Sequence, residues 1–167
     1  MHTPMIKILA LLSLLSCLPV KAEPVQFSLT DLNGKTHTSK DYAGKWLIVN
    51  YWAMWCPPCR DEIPELVAFH EKYKDKDAVV LGIDFENADD INLREFIDEN
   101  FISYPVVQTR PSAKGPFGPI YALPTTYLIS PKGEIVASRT GGVTIQDLEK
   151  GIHRFKQELA QTNSPAR

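Results

Sequence analysis

The sequence predicts a single α/β domain, and two observations support that fold class. Residues 46–53 and 78–85 are near-continuous apolar runs of strand length, each followed by a segment with apolar side chains at helical spacing. Alternation of buried strands with helices is typical of a sheet that helices cover. The length of 167 residues, with 44% hydrophobic and 23% charged, suits one globular domain and excludes disordered and collagen-like chains.

A β-hairpin is predicted to open the domain. Residues 25–29 alternate apolar and polar side chains, Asn33-Gly34 is a strong turn signal, and residues 35–38 favour a strand. The run of residues 46–53 lacks the alternation of a half-buried strand. It is therefore predicted to form a central strand that is buried on both faces.

The first helix is predicted to begin at Pro57 and Pro58, because proline suits the first turn of a helix. Residues 78–85 are predicted to form the second central strand. A second helix follows that strand, with Asp89 or Asp90 as its N-cap.

The next segment is predicted to hold a third strand, a loop and a second hairpin. The strand lies near residues 103–109. Residues 110–119 contain three prolines and two glycines and are predicted to be loop. Residues 127–129 and 135–137 flank a turn that contains Pro, Lys and Gly, so they are predicted to pair as antiparallel strands.

The last helix is predicted to follow Thr144, which forms a capping box with Asp147 ahead of an apolar stripe at helical spacing. The domain is therefore expected to span residues 23–161. Residues 162–167 are polar and are expected to form a frayed tail.

Residues 1–22 are predicted to be a secretory signal. A charged start precedes an apolar run of about eleven residues, which is short of the roughly 20 that a membrane-spanning helix needs. Cleavage after Ala22 would release the domain into the periplasm. Residues 14–17, Leu-Leu-Ser-Cys, also resemble a bacterial lipobox, in which Cys17 would carry a membrane anchor. A helix buried in the domain is the third interpretation. Either export route leads to an oxidising compartment.

The charge balance identifies no partner. Lys and Arg total 18 against 20 Asp and Glu, a formal net charge of −2, which offers no basic face for nucleic acid. The chain has three cysteines, too few for a small domain held together by disulfides. Two cysteines close in sequence are therefore more typical of a reactive pair than of a disulfide that holds the fold together.

The candidate active site is the segment Trp55-Cys56-Pro57-Pro58-Cys59, where a buried strand ends and a helix begins. The free N–H groups and the helix dipole at this point stabilise a thiolate and lower the thiol pKa. The spacing lets the two sulfurs meet across one helical turn and cycle between dithiol and disulfide. The two prolines remove two N–H donors and leave chiefly the Cys59 amide, which predicts a moderately lowered thiol pKa and a reducing disulfide. Cys56 is predicted to be the exposed nucleophile, and Cys59 to resolve the mixed disulfide.

Two other interpretations of the cysteine pair stay open. A structural zinc site usually needs a second ligand pair, whereas His37, His70 and His153 are scattered singly. An inert disulfide would close so short a loop that it would stabilise little. Asp84 and Glu86 belong to an acidic cluster after the second central strand, but the cluster lacks the spacing of a calcium loop. We therefore expect neither a metal nor another cofactor.

Residues 49–66, VNYWAMWCPPCRDEIPEL, resemble the active-site segment of the TlpA/ResA-like branch of the thioredoxin superfamily. This branch comprises exported thiol-disulfide oxidoreductases, including cytochrome c maturation reductases. Residues 44–46 and 123–129 are compatible with the same pattern. The resemblance implies a thioredoxin-like fold, with a central mixed β-sheet flanked by helices. It also implies a cis peptide bond between Leu123 and Pro124, beside the two cysteines.

The resemblance further indicates which residues meet the substrate. A cis proline turns the chain and leaves the backbone beside it free to pair with an extended segment, so Leu123, Pro124 and Thr125 are predicted to bind substrate. An ordinary proline at a strand edge is the alternative. Trp55 is predicted to shield the disulfide and contact the partner, whereas Trp52 is predicted to lie in the core.

The sequence departs from thioredoxin at Asn50. Thioredoxin carries an aspartate six residues before its first cysteine, where it accepts the proton of the buried thiol, and an amide cannot do this. Glu62, three residues after Cys59 on the same helix, is predicted to accept the proton instead, and the family pattern carries an acidic residue there too. Asp61 and Glu65 are predicted to lie on the solvated face of that helix.

The leading functional prediction is an exported disulfide reductase that acts on oxidised proteins as a monomer. Cys56 would attack the substrate disulfide, and Cys59 would displace the reduced product. The resemblance implies a transmembrane thiol reductase as electron donor and apocytochrome c or another oxidised protein as acceptor. A thiol oxidase, a copper-binding or metal-delivery module, and a thioredoxin-like scaffold without turnover are the alternatives.

Overall fold

The computed structural model describes residues 23–112 and 114–162. The predicted signal, with Cys17, and residues 163–167 of the predicted tail lie outside the described residues. None of the described helices is long and apolar enough to cross a membrane.

Within these ranges the chain forms three α-helices, nine short or medium strands and one turn of 3-10 helix at Ser39–Tyr42. The helices are α1 (Pro57–Tyr73), α2 (Asp90–Glu99) and α3 (Ile145–Thr162). The strands are β1 (Ser28–Thr30), β2 (Thr36–Thr38), β3 (Trp46–Trp52), β4 (Ala78–Asp84), β5 (Val106–Gln108), β6 (Lys114–Gly115), β7 (Gly118–Pro119), β8 (Thr125–Ile129) and β9 (Ile135–Thr140).

A five-stranded mixed sheet in the order β5-β4-β3-β8-β9 forms the centre of the domain. Strands β3, β4 and β5 run parallel, whereas β8 is antiparallel to β3 and β9 is antiparallel to β8. Every residue of β3 and β4 is buried, as their continuous apolar runs predicted. The predicted central mixed sheet and the opening hairpin, β1 with β2, are confirmed.

The two faces of the sheet are covered differently. All three helices contribute to the apolar cluster on one face, through side chains such as Leu66, Leu93 and Ile152. The N-terminal hairpin and the segment before β8 cover the other face, through Phe27 and Phe117. Because both faces are covered, β3 and β4 need no polar face.

The loop predicted over residues 110–119 contains a small hairpin, in which β6 pairs with β7. Phe117, in the turn between them, is buried and packs against Phe27 with ring centroids 4.9 Å apart. Gly118 has a φ of 140°, and a Cβ there would lie 2.6 Å from the Tyr127 hydroxyl. The burial of one aromatic side chain therefore shapes a segment whose proline and glycine content alone predicts loop.

The predicted helix caps are present. The Asp89 carboxylate accepts the N–H of Ile91 at 2.9 Å at the start of α2. At the start of α3 the Thr144 N–H donates to Asp147 Oδ2 at 3.1 Å, and the Asp147 N–H donates to Thr144 Oγ1 at 3.2 Å. This reciprocal pair is the predicted capping box. Helix α3 extends to Thr162, so that residue lies in the helix and not in the predicted tail.

The end of β3 determines where three segments meet. Trp52 lies opposite Asp84 of β4, and Tyr51 lies opposite Thr125 of β8. Since β4 runs parallel to β3 and β8 runs the other way, the residues after Trp52, the residues after Asp84 and the residues before Thr125 come to one edge of the sheet. The two cysteines of the candidate site lie at this edge.

Candidate active site

The two cysteines lie at the N terminus of α1 and are joined by a disulfide. Their sulfurs are 2.18 Å apart and their Cα atoms 5.3 Å apart. Cys56 is the N-cap of α1, and Pro57 and Pro58 are its first helical residues. The N–H groups of Cys59 and Arg60 donate to the Cys56 carbonyl at 3.1 and 3.2 Å. In the disulfide form, the Cys59 amide therefore makes a hydrogen bond within the first turn of α1.

Cys56 is less exposed than predicted. It is 3% exposed and Cys59 is 0% exposed, so Cys56 is the more accessible cysteine but is not open to solvent. The side chain of Cys56 is joined to that of Cys59, and both belong to the apolar cluster that contains Ile63 and Leu66. A partner must therefore reach into the surface beside Cys56 in order to react with its sulfur.

A buried carboxylate lies on α1 three residues after Cys59. Glu62 is 3% exposed. Asn50 Nδ2 donates to Glu62 Oε1 at 2.8 Å and to Thr126 Oγ1 at 3.0 Å. The Val143 N–H donates to Glu62 Oε2 at 2.8 Å. One side chain thus joins α1 to β3 and to the segment before α3, and Asn50 extends the network to β8.

Burial raises the pKa of Glu62 to about 7. Desolvation is the largest cause, and the hydrogen bonds from Asn50 and Val143 and the positive charge of Arg139 act in the opposite direction. A carboxyl group that titrates near neutral pH can take up and release a proton in an aqueous compartment. Glu62 is chemically suited to the predicted proton transfer, and its role towards Cys59 stays a prediction.

The other residues of this network were not evident as partners from the sequence. The sequence drew attention to Asn50 because thioredoxin has an aspartate at that position. In the structure, Asn50 holds the Glu62 carboxylate by a hydrogen bond. Nothing local indicated Val143 or Thr126, because their contacts cross 81 and 76 positions of the chain. Only the folded sheet brings these groups together.

The prediction that Glu65 lies on the solvated face of α1 is wrong. Glu65 is half-buried, and its Oε2 accepts the N–H of Ile145 at 2.9 Å. Ile145 is the first residue of α3, where free N–H groups and the helix dipole favour a carboxylate. Asp61 is exposed, as predicted.

The peptide bond between Leu123 and Pro124 is cis, as the resemblance implies. The Pro124 carbonyl accepts the N–H of Gly141 at 2.8 Å. Thr125 is buried, and its hydroxyl donates to the Ala122 carbonyl at 2.7 Å. Thr125 begins β8, which has neighbours on both sides, and the predicted substrate contacts of Leu123, Pro124 and Thr125 stay a prediction.

A groove on the surface adjoins Trp55, the residue before Cys56. Its volume is about 460 Å³, and Trp55, Glu86, Tyr121 and Leu123 are among the residues that line it. Trp55 is 67% exposed and Tyr121 is 86% exposed, whereas Trp52 lies in the core as predicted. Tyr121 was missed from the sequence, although an aromatic residue just before the Leu-Pro pair is a signal that could have indicated it.

Several polar residues that could bind a metal make hydrogen bonds or ion pairs within the protein instead. Asp89 caps α2. His37 pairs with Asp31 at 2.9 Å, and the Val80 N–H donates to His70 Nδ1 at 3.1 Å. Among residues 23–112 and 114–162, no group of three or more His, Cys, Asp or Glu side chains is placed to hold a metal ion.

Comparison with known proteins extends the likeness beyond the active-site segment. Residues 20–138 match the AhpC/TSA family. A thiol-disulfide oxidoreductase ResA from Halalkalibacterium halodurans is 32% identical over 137 residues, which cover 81% of this chain and 77% of the relative.

Solved structures also share the fold, among them two that resemble this chain over most of its length. A thiol:disulfide interchange protein of the thioredoxin family from Chlorobium tepidum superposes with a TM-score of 0.72 at 28% identity, over 82% of this chain and 98% of that one. A DsbF homologue from Corynebacterium diphtheriae gives a TM-score of 0.71 at 29% identity, over 80% of this chain and 87% of that one. The predicted thioredoxin-like fold is therefore confirmed.

Replacing Glu62 with glutamine should change how the stability of the disulfide form depends on pH. Because the pKa of Glu62 is raised from 4.5 to about 7, its contribution to stability is present below pH 4.5 and is lost as the pH rises towards 7. Relative to Glu62→Gln, the free energy of unfolding of the wild type in urea should fall by about 3 kcal/mol across this range.

The matched control is Asp61→Asn, which removes an exposed carboxylate from the same helix. That variant should keep the pH dependence of the wild type. Parallel stability curves for the wild type and Glu62→Gln between pH 4.5 and 7 would show that the Glu62 pKa is not raised.

Proposed function

Because the chain belongs to the AhpC/TSA family of the thioredoxin superfamily and is a thiol-disulfide oxidoreductase of the ResA type, we propose that it acts as an exported disulfide reductase on oxidised proteins. The observation that carries this proposal is the Cys56–Cys59 pair at the start of α1. The buried Glu62 carboxylate, hydrogen-bonded at both oxygens, supports it.

The reaction proceeds by two exchanges of sulfur. The Cys56 thiolate attacks one sulfur of the substrate disulfide, the substrate S–S bond breaks, and the other substrate sulfur leaves as a thiolate that takes a proton from water. Cys59 then loses its proton and attacks the Cys56 sulfur of the mixed disulfide. The second substrate sulfur leaves, and the Cys56–Cys59 disulfide closes. Two electrons have then passed from the protein to the substrate.

Glu62 accepts the proton that Cys59 loses. Its pKa of about 7 lies close enough to the ordinary thiol value of about 8.5 for transfer in either direction. The donors Asn50 and Val143 hold the carboxylate in one position. Asn50 thus supports proton transfer without taking part in it, which accounts for an amide at the position where thioredoxin has an acid.

The two prolines favour a reductase over an oxidase. Pro57 and Pro58 occupy the first helical positions, where other residues would offer N–H groups to a Cys56 thiolate. A less stabilised thiolate makes the reduced form less favourable, and the disulfide is then more difficult to reduce. Such a dithiol gives its electrons readily to a substrate disulfide.

We expect a reduction potential near thioredoxin's roughly −270 mV in equilibration with dithiothreitol or glutathione buffers. Pro57→Ala and Pro58→Ala each restore one N–H donor and should raise the potential by about 20 mV, equivalent to one hydrogen bond of about 1 kcal/mol. Pro64→Ala, in the same helix but two turns away, is the control and should not change it. A wild-type potential above about −150 mV would instead indicate an oxidase.

A reductase in an oxidising compartment must itself be reduced again. We propose a transmembrane thiol reductase as the electron donor, and apocytochrome c or another oxidised protein as the acceptor. The resemblance of residues 49–66 to the TlpA/ResA-like segment supports both partners. Export by residues 1–22 would bring the domain to the compartment where these partners occur.

A Cys59→Ser variant should retain its substrate as a mixed disulfide at Cys56, because no second thiol is present to release it. Mass spectrometry of the trapped species identifies the substrate, and the intact mass reports whether the exported chain begins at residue 23 or at a lipidated Cys17. Cys56→Ser is the control and should trap nothing. Adducts in Cys56→Ser alone would assign the attack to Cys59.

Tyr121→Ala should weaken the binding of protein substrates. Tyr121 lines the groove beside Trp55, and an exposed aromatic side chain at a contact surface contributes about 1 to 2 kcal/mol to binding. KM for an oxidised protein substrate should rise about tenfold, while the rate with a small aromatic disulfide stays unchanged. Phe101→Ala, which removes an aromatic side chain that is 82% exposed beyond the far end of α2, should alter neither. Equal KM values for the two variants would contradict the assignment.

A further inference from the structure

A second carboxylate contacts the segment that carries Cys56. Glu86 Oε1 accepts the N–H of Met54 at 2.5 Å. Met54 lies two residues before Cys56, in a turn that the Cys56 N–H closes by donating to the Ala53 carbonyl at 3.1 Å. Glu86 comes from the segment after β4 and therefore holds the link between β3 and α1 from a neighbouring strand.

Asp84 lies beside Glu86 at the end of β4. Its side chain is 0% exposed, and the residue is opposite Trp52 of β3 and Gln108 of β5. Neither carboxyl oxygen makes a hydrogen bond of ordinary geometry with the described residues, although the Glu86 carboxyl and the Gln108 amide are near enough to influence it. An isolated charge in such a position is costly, so burial favours the protonated form of Asp84.

The ionisation of Asp84 agrees with this arrangement. Burial and the negative charge of Glu86 raise the pKa of Asp84 to about 8, while the Gln108 amide acts in the opposite direction. Two neighbouring carboxyl groups at this position therefore disfavour a second negative charge.

Glu86 also faces the surface where substrate is expected. It is half-buried and lines the groove that Trp55 and Tyr121 border. Its carboxylate therefore contacts the Met54–Cys56 turn on one side and lies next to the docking groove on the other. Glu62, by contrast, contacts α1, β3 and the segment before α3, so the two carboxylates act on different parts of the site.

We propose that Glu86 is a positioning residue for Cys56: its carboxylate holds the Met54 amide, two residues before the attacking thiol, and places a negative charge near that thiol. The proposal rests on the assignment of Cys56 as the nucleophile. The held turn keeps Trp55 and Cys56 in place as a substrate docks. The negative charge disfavours the thiolate, which makes Cys56 a stronger reductant and adds to the effect of the two prolines.

The test compares Glu86→Gln and Glu86→Ala with the wild type. Reduced, folded protein is alkylated with iodoacetamide across pH 5 to 10 with mass-spectrometric site assignment, and kcat/KM is measured for insulin reduction. Glutamine keeps an oxygen for the Met54 N–H but lacks the charge, whereas alanine lacks both. Both variants keep Asp84 and the ionisable residues at positions 59–62 of α1, so a shift in the alkylation midpoint reports the change at Glu86.

Both variants should lower the pH midpoint of Cys56 alkylation by about half a unit or more, because a negative charge has been removed. Glu86→Ala should lower kcat/KM about tenfold further than Glu86→Gln does, because only alanine releases the Met54 amide. Glu99→Gln, at the opposite end of α2, is the matched control and should change neither value.

The proposal is overturned if both variants keep the wild-type midpoint, even where activity falls together with the free energy of unfolding, since that pattern indicates a structural role alone. If Glu86→Ala does not fold, the midpoint of Glu86→Gln decides the question. Failure of the proposed function would be seen in the wild type itself, as absent insulin reduction or equal alkylation of Cys56 and Cys59.

Discussion

The hydrogen bonds that Glu62 accepts from Asn50 and Val143 are the interactions on which the rest of the site depends. A carboxylate without partners would not be stable at this depth, so the chain must bring donors from two other segments to it. The same contacts attach the helix that carries the cysteines to the central sheet. Both the packing of α1 on the sheet and the proposed chemistry therefore require that α1, β3 and the segment before α3 meet at the edge where β3 ends.

Two carboxylates contact different parts of the site and differ in what they can do. Glu62 is buried and titrates near neutral pH, which suits a group that exchanges protons with a thiol. Glu86 is half-buried and is bonded to the backbone just before Cys56, which suits a group that holds a charge and a position. In the proposed mechanism, proton transfer at Glu62 is thus separate from the placement of the nucleophile by Glu86. In the same proposal, the two prolines between the cysteines disfavour the Cys56 thiolate, because they remove N–H donors.

The differences between the predicted and observed site have a common cause. Glu65 accepts a hydrogen bond at the start of α3, and the hairpin around Phe117 forms because that side chain packs against Phe27 and the sheet. Each of these features depends on a neighbour that is distant in sequence. Periodicity describes which side of one element is apolar, but it does not describe which other element lies against a given residue.

The sequence by itself determined the α/β class, the two buried central strands, the helix caps at Asp89 and Thr144, and the location of the redox pair at a strand-to-helix junction. These features depend on side chains that are close together along the chain, where spacing and composition carry the information. Only the tertiary structure decided that Asn50 and Val143 hold Glu62, that Tyr121 lines the groove, and that Glu86 reaches Met54. Those contacts exist because strand register and sheet order bring remote segments to one edge, and neither register nor order is recorded in local patterns.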